Sequence, residues 1–122
     1  MTRRIWLTAA AFVMLSAPAI AADRCSAPLA PVVPDGKTAT VAQLSQAAKE
    51  VVAFIKASDD YQSCLLADIA AQDKAAKDDK KTLDPAVRKA LEDKGDANQK
   101  DKERVGGEYN RAAAADKVAH PK

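Results

Sequence analysis

The sequence predicts an all-α protein, either an elongated helical hairpin or a small antiparallel helical bundle. An extended Pro-rich N-terminal arm, stapled by one disulfide, precedes the helices. Apolar residues recur at helical spacing from Thr40 to about Lys81, and no segment alternates with the period of two that is typical of strands. Good helix formers (Ala, Lys, Gln and Leu) fill the long segments, which excludes a sheet-based fold.

Residues 1–22 have the pattern of an export signal peptide. Arg3 and Arg4 form a basic start, an apolar run follows, and small residues precede the expected cleavage after Ala21 or Ala22. The apolar run is too short to span a bilayer, so we expect no stable membrane anchor after cleavage. An arginine pair occurs in twin-arginine leaders and in general secretion leaders, and general secretion is preferred because no cofactor motif follows. The predicted location is periplasmic or secreted.

Removal of this leader leaves a chain of balanced charge. The full sequence has 19 Lys and Arg against 17 Asp and Glu, and Arg3 and Arg4 leave with the leader. A neutral chain whose remaining aromatics are Phe54, Tyr61 and Tyr109 lacks the basic surface of a nucleic-acid-binding protein. About a hundred residues with so few large apolar side chains predict one domain with a thin, alanine-rich core.

Residues 23–39 form the predicted arm. Pro28, Pro31 and Pro34 prevent helix formation and favour an extended, polyproline-like conformation. Gly36 follows an aspartate and indicates a turn at the end of the arm. A proline-rich ligand for another protein's aromatic groove is the weaker interpretation, because tethered prolines more often serve packing.

The two cysteines predict one disulfide between Cys25 and Cys64. An exported chain with an even number of cysteines most simply oxidises them, and this bond would lay Leu29, Val32 and Val33 along the first helix. Two free thiols or a redox pair are the alternative. No C-x-x-C motif and no nearby histidine are present to lower the pKa of either thiol.

The helical hairpin domain, residues 40–119, opens with a clear start signal. Thr40 and Gln43 have the form of a capping box, so the first helix should begin near Val41. No Gly or Pro interrupts it before Pro85, which predicts an elongated shape. Its apolar stripe contains Leu44, Ala47, Val51, Phe54, Ile55, Ser58, Tyr61, Gln62, Leu65 and Ile69.

The charged middle of the chain, residues 72–104, should be solvated helix. Lysines alternate with aspartates there, which is typical of an exposed face rather than of a charged ligand site. Asp84 and Pro85 predict the start of a new helix, since aspartate caps well and proline suits the first position. Gly95 predicts a break, with Asp96 as the cap of a further helix.

We expect this last helix to run to about Val118 and to pack on the first. One of its faces carries Val105, Tyr109, Ala112 and Ala113. Gly106 and Gly107 lie within the same segment and would allow a close approach of two backbones. They do not form a phosphate-binding loop, because no strand precedes them and no Lys-Ser or Lys-Thr follows.

No catalytic or metal-binding pattern occurs in the sequence. His120 is the only histidine and lies near the end, which excludes a His-containing triad and a zinc cluster completed by histidine. Adjacent acids such as Asp59 and Asp60 point about 100° apart on a helix and do not converge on one substrate. We therefore predict a non-enzymatic protein without a cofactor.

Three features of the sequence together resemble those of a protein family: the arm with Cys25, the Tyr-x-x-Cys-Leu pattern of Tyr61–Leu65, and the Tyr109–Asn110 pair. They are similar to small uncharacterised exported (periplasmic) α-helical proteins of proteobacteria. The resemblance implies a disulfide-stapled helical fold and no catalytic residue.

Two functional hypotheses follow. The first is a non-enzymatic periplasmic helical interaction protein, chaperone-like or an accessory subunit of the envelope. It would engage another envelope protein or self-associate, and in architecture alone it resembles periplasmic holdase chaperones with charged helical arms. The alternative is an accessory protein that binds a small molecule or a metal under stress. The oligomeric state separates the two.

The candidate interface is the part of the apolar stripe that later segments cannot cover. Leu66 and Ile69 point towards the charged middle, where only Leu83, Val87 and Leu91 can meet them. An apolar patch left uncovered there would serve as a partner or dimer surface. The alternative is that these five residues simply close the core of the hairpin.

Overall fold

A computed structural model of the protein describes residues 24–121 and shows two long α-helices that form a hairpin. Helix α1 spans Val41–Asp78 and helix α2 spans Pro85–Ala119, and the described residues contain no β-strand. The predicted all-α fold is confirmed. The leader expected at residues 1–22 lies outside the described residues.

Helix α1 begins as the sequence predicts. The backbone N–H of Gln43 donates to the Thr40 hydroxyl at 3.2 Å, and the backbone N–H of Thr40 donates to the Gln43 side-chain oxygen at 2.8 Å. These two bonds satisfy donors that the first turn of a helix leaves free. The capping box therefore fixes the point at which the arm gives way to helix.

The turn between the helices ends α1 slightly earlier than the expected Lys81. Lys80 adopts a left-handed φ of 56°, and the backbone N–H of Lys81 donates to the carbonyl of Ala76 at 2.8 Å. This bond closes the last turn of the helix in the manner of a Schellman motif. Asp84 then caps α2 by accepting from the Ala86 backbone N–H at 2.8 Å, with Pro85 in the first position, as predicted.

The predicted break at Gly95 is wrong, because α2 is continuous from Pro85 to Ala119. Glycine inside a helix costs about 1 kcal/mol relative to alanine, which is less than packing against a neighbouring helix can supply. Asp96 consequently caps nothing and lies inside the helix. The charged middle is thus helical on both sides of the turn.

The two helices pack antiparallel along one seam. The buried residues of α1 recur at steps of three and four: Leu44, Ala47, Val51, Phe54, Ser58, Tyr61, Leu65 and Ile69. On α2 the buried residues are spaced by seven: Asn98, Val105 and Ala112. Later residues of α1 contact earlier residues of α2, as the pairs Leu44–Ala112, Asp59–Lys102 and Asp73–Arg88 show. The predicted packing of the last segment on the first helix is confirmed.

The proline arm is fastened at its start by the predicted disulfide. Cys25 and Cys64 are bonded, with their Cα atoms 5.8 Å apart, and Cys25 is buried against Tyr61 and Leu65. The expectation that Leu29 and Val32 lie along α1 is wrong, since both side chains are exposed and only Val33 packs. Apart from the half-buried Val33, the buried and half-buried positions between residues 25 and 34 recur every third residue: Cys25, Pro28, Pro31 and Pro34. This is the period of a polyproline II helix.

At its far end the arm contacts the backbone of α2 at Gly36. A Cβ atom there would lie 1.8 Å from the carbonyl oxygen of Ala112, so only glycine fits. The close approach expected at Gly106 and Gly107 is wrong. A Cβ at Gly106 would meet nothing within 4 Å, and one at Gly107 would meet only the Arg111 side chain.

Candidate interaction surface

The hairpin has two long grooves, one on each side of the plane of its helices, and the arm covers one of them. Val33 packs against two clusters that draw residues from both helices: Ala39, Leu44 and Ala112, and Val51, Phe54 and Val105. Cys64 marks the same side on α1, because it bonds to the start of the arm. The arm thus lies along the groove between α1 and α2.

The second groove begins at Leu66. This residue follows Cys64 by two positions, about 200° around the helix, so it lies on the side away from the disulfide. The Leu66 side chain is 67% exposed. Beside it a cavity of about 290 Å³ is lined by Gln62, Leu65, Leu66, Ile69, Leu91, Glu92, Gly95, Asp96 and Gln99.

The structure places three of the five predicted interface residues in the groove and two outside it. Leu66, Ile69 and Leu91 line the groove, and Ile69 is buried while Leu91 packs on the Cys25–Tyr61–Leu65 cluster. Leu83 is half-buried and Val87 is exposed, and neither lines the groove.

Gly95 is the groove residue whose role the sequence pattern missed. It was expected to break the helix, but it lies at the bottom of the groove, and a Cβ atom there would contact Leu65 at 3.9 Å. A bulkier side chain at this position would fill part of the space between the helices. The spacing of three and four residues to its neighbours Leu91 and Asn98 was the available signal.

A polar layer lies between the helices at one end of the cavity beside Leu66. Ser58 is fully buried and Asn98 is 6% exposed. The Asn98 amide donates to the Ser58 hydroxyl at 3.1 Å, and the Gln62 amide donates to the Asn98 carbonyl oxygen at 3.0 Å. Buried polar groups that satisfy one another in this way favour one register between helices over alternatives. Sequence reasoning placed Ser58 and Gln62 on the seam but missed Asn98, which lies seven residues from both Leu91 and Val105.

Ion pairs flank the groove along its length. Beyond the polar layer, Lys102 on α2 pairs with Asp59 on α1. Towards the turn, Arg88 donates to both carboxylate oxygens of Asp73. The hydrogen bond to Asp73, with the charge of that carboxylate, raises the pKa of the Arg88 guanidinium above its ordinary value. The cavity beside Leu66 therefore has an apolar floor, with an ion pair beyond it in each direction along the groove.

Residues 24–121 show neither a metal-binding cluster nor a membrane-spanning helix. No three His, Cys, Asp or Glu side chains there are grouped so that they could hold a metal ion. Neither of the two helices contains a stretch that is long and apolar enough to cross a membrane.

Comparisons of the chain with protein-family models, with curated proteins and with solved structures give no match. We therefore infer a function from the geometry of the grooves.

Proposed function

We propose that the protein is a non-enzymatic periplasmic interaction protein that binds another protein through the groove beside Leu66. The observation that carries the proposal is the asymmetry between the two grooves of the hairpin. The arm covers one, whereas the other leaves Leu66 largely exposed beside an apolar floor. An exposed apolar patch with a polar rim often marks an interaction site, and Leu66 extends the apolar floor of the cavity to the surface.

The chemistry of the groove suits an amphipathic helix. Leu65, Ile69 and Leu91 form an apolar floor, and Glu92 and Asp96 form an acidic rim. An apolar centre with a polar rim is the usual anatomy of a protein interface. Helices bind such grooves through side chains spaced by three, four and seven residues. We also propose that α1 and α2 form an antiparallel coiled coil, whose seven-residue spacing a third helix can continue.

Two further features support the assignment to the envelope. Residues 1–22 have the pattern of a leader, and the Cys25–Cys64 disulfide is compatible with an oxidising compartment. In that setting the partner is another envelope protein or a second copy, and the role is chaperone-like or that of an accessory subunit.

A photo-crosslinking amino acid placed at position 66 in the living cell tests the proposal. Position 29 is the matched control, because Leu29 is 94% exposed but lies on the arm. We expect a discrete crosslinked product from position 66 and none from position 29. Equal products from both positions, or none from either, would contradict the proposed site.

Replacement of Leu66 by lysine separates binding from core packing. A side chain that is already largely exposed should tolerate the charge, with a change in the free energy of unfolding within about 0.5 kcal/mol. Crosslinking from a second groove position, such as Gln99, should be lost. A loss of stability of about 2 kcal/mol or more would mean that Leu66 belongs to the core, and it would refute the proposal.

A further inference from the structure

We infer that the partner which fills this groove is a second copy of the chain, related to the first by a two-fold axis parallel to the helices. The inference rests on the proposed function, because it names the occupant of the same groove. In this dimer α1 of each copy lies on α2 of the other, and both uncovered grooves close in one contact. The result is a four-helix bundle with the two arms on its outer sides.

The shapes of the two edges of the groove favour this arrangement. On α1 two large apolar side chains are exposed on this side of the helix: Leu66, which lines the groove, and Val52, fourteen residues earlier and about 40° further round. On α2 the edge has two positions without a side chain: Gly95, which lines the groove between the acidic Glu92 and Asp96, and Gly106, three helical turns further on, where open space takes the place of a side chain. A two-fold axis parallel to the helices places the two apolar side chains of one copy on the two glycines of the other.

The levels of these residues along the hairpin also agree. Leu66 and Gly95 line the same cavity, so they lie at one level. Val105 packs with Val51 and Phe54, which places its neighbour Gly106 at the level of Val52. Each bulky side chain of one copy therefore meets a glycine of the other. The side chain enters space that the free chain leaves open.

Charge selects the parallel orientation. Asp59 lies midway between Val52 and Leu66 on α1, and its ion-pair partner Lys102 lies between Gly95 and Gly106 on α2. In the parallel dimer each Asp59 faces the partner's Lys102, which gives four alternating charges at the centre of the contact. An antiparallel dimer would place Asp59 against Asp59 and Lys102 against Lys102. Like charges opposed in this way disfavour that alternative.

The size of the contact predicts a reversible dimer. The distance from Val52 to Leu66 is about 21 Å, and one further turn at each end gives a face about 30 Å long and two helices wide. Such a face buries about 1,000 Å² in total, which is at the lower end for specific interfaces. We expect an equilibrium between monomer and dimer in the micromolar range.

Sedimentation equilibrium of the purified, oxidised protein tests the dimer, with Gly106→Gln and its neighbour Gly107→Gln as a matched pair. Both changes replace a glycine of α2, and neither new side chain meets backbone in the free chain. Only position 106 faces the groove, because adjacent positions lie about 100° apart. We expect the wild type to dimerise, Gly106→Gln to raise the dissociation constant at least about tenfold, and Gly107→Gln to leave it unchanged. A monomer at all concentrations, an assembly larger than a dimer, or equal effects of both changes would overturn the inference.

A charge exchange tests the orientation. The doubly substituted chain Asp59→Lys, Lys102→Asp keeps an ion pair within each copy and should still form homodimers. In a mixture with wild-type chain, the parallel arrangement opposes like charges in the mixed dimer, so native mass spectrometry should find it below its statistical share. A mixed dimer above that share would indicate the antiparallel arrangement and refute the parallel one.

The outcomes for the dimer and for the proposed function are distinguishable. A chain that stays monomeric overturns the dimer, while a product crosslinked from position 66 to a different protein would keep the groove as a binding site. Loss of the fold in Leu66→Lys refutes the groove as a site for any partner, including a second copy.

Discussion

The same two helices form two halves that differ in how well they are covered. In the base half, residues 41–64 of α1 and 98–119 of α2 pack together with the arm. In the tip half, residues 65–78 and 85–97 pack on each other, and the start of the arm reaches them where Cys25 contacts Leu65 and Arg24 pairs with Asp68. The fully buried Ser58 and Val105 both lie in the base half. Exposed apolar side chains occur in both halves, at Val41, Val52 and Val118 in the base half and at Leu66 and Val87 in the tip half.

Regular spacing of apolar residues along the contact between two helices is therefore not enough to bury the sides of that contact. Both halves of α1 carry apolar residues at steps of three and four. The side of the contact between the helices is covered only where a third segment of the chain packs on it. In the base half the third segment is Val33 and its neighbours. We infer that the base half supplies most of the stability, and that the surface for binding is the uncovered groove, which runs along both halves.

Breaking the disulfide should have the largest effect and should act mainly on the base half. Cys25 and Cys64 are 39 residues apart, and the chain-entropy estimate for a loop of that length is about 4 kcal/mol. We expect Cys25→Ser/Cys64→Ser to lose about this much free energy of unfolding in urea titrations. Hydrogen exchange should show lost protection near Val105 and little change at the tip. A loss below about 1 kcal/mol would contradict the idea that the arm stabilises the base half.

A pair of valine substitutions compares the two halves directly. Val105→Ala removes two methyl groups from a fully buried site and should cost about 2 kcal/mol, including the cavity it leaves. Val87→Ala, at a partly exposed site in the tip half, should change stability by less than about 0.5 kcal/mol. Equal losses measured by thermal and urea unfolding would show that the halves are equally packed.

The polar layer at the boundary of the halves should have an intermediate effect. Ser58→Ala removes the acceptor of the Asn98 amide and leaves a buried donor without its partner, which costs about 1 to 2 kcal/mol. The exposed Ser63 provides the control, since Ser63→Ala should be neutral or slightly stabilising in the middle of a helix. If the two alanine variants unfold at the same urea concentration, the buried hydrogen bond does not contribute to stability.

The smallest effect is expected from the ion pair of the tip half. Arg88→Gln removes a partly exposed partner of Asp73, and pairs of this kind are weak and screened by salt. Asp73 raises the pKa of Arg88. The contribution of this ion pair to the free energy of unfolding is therefore complete below the ordinary pKa of arginine and is lost only above the raised pKa. We therefore expect a small fall in melting temperature, independent of pH between about 6 and 9 and abolished near 1 M salt. A fall that persists in high salt would indicate packing rather than charge.

The local signals in the sequence predicted the local features of the fold. The capping box at Thr40, the cap at Asp84 and the stripe on α1 each depend on residues within one or two turns, and all three are confirmed. The continuity of α2 through Gly95 could not be predicted in this way. It depends on the packing of α2 against α1, whose residues lie far from Gly95 in the sequence.

The candidate surface was predictable only in part for the same reason. The sequence identified Leu66 and Ile69 as side chains with too little apolar cover, and of these Leu66 is exposed whereas Ile69 is buried. It could not indicate that the arm occupies only one groove, because this depends on which side of α1 Cys64 presents to Cys25. It also placed the close backbone approach at Gly106, whereas tertiary contact requires it at Gly36.

The arm is bonded at Cys25 by the disulfide and packs closely on the Ala112 carbonyl at Gly36. Between these points its half-buried prolines repeat every three residues. These two properties restrict how its length can change during evolution. Insertion of one residue after Pro31 would turn the following side chains by about 120° and move Pro34 out of its inward position. Three inserted residues would return the following side chains to their original orientation, but they would add about 9 Å of chain between Cys25 and Gly36. Length variants of this protein should therefore accumulate at the helical turn, where neither constraint applies.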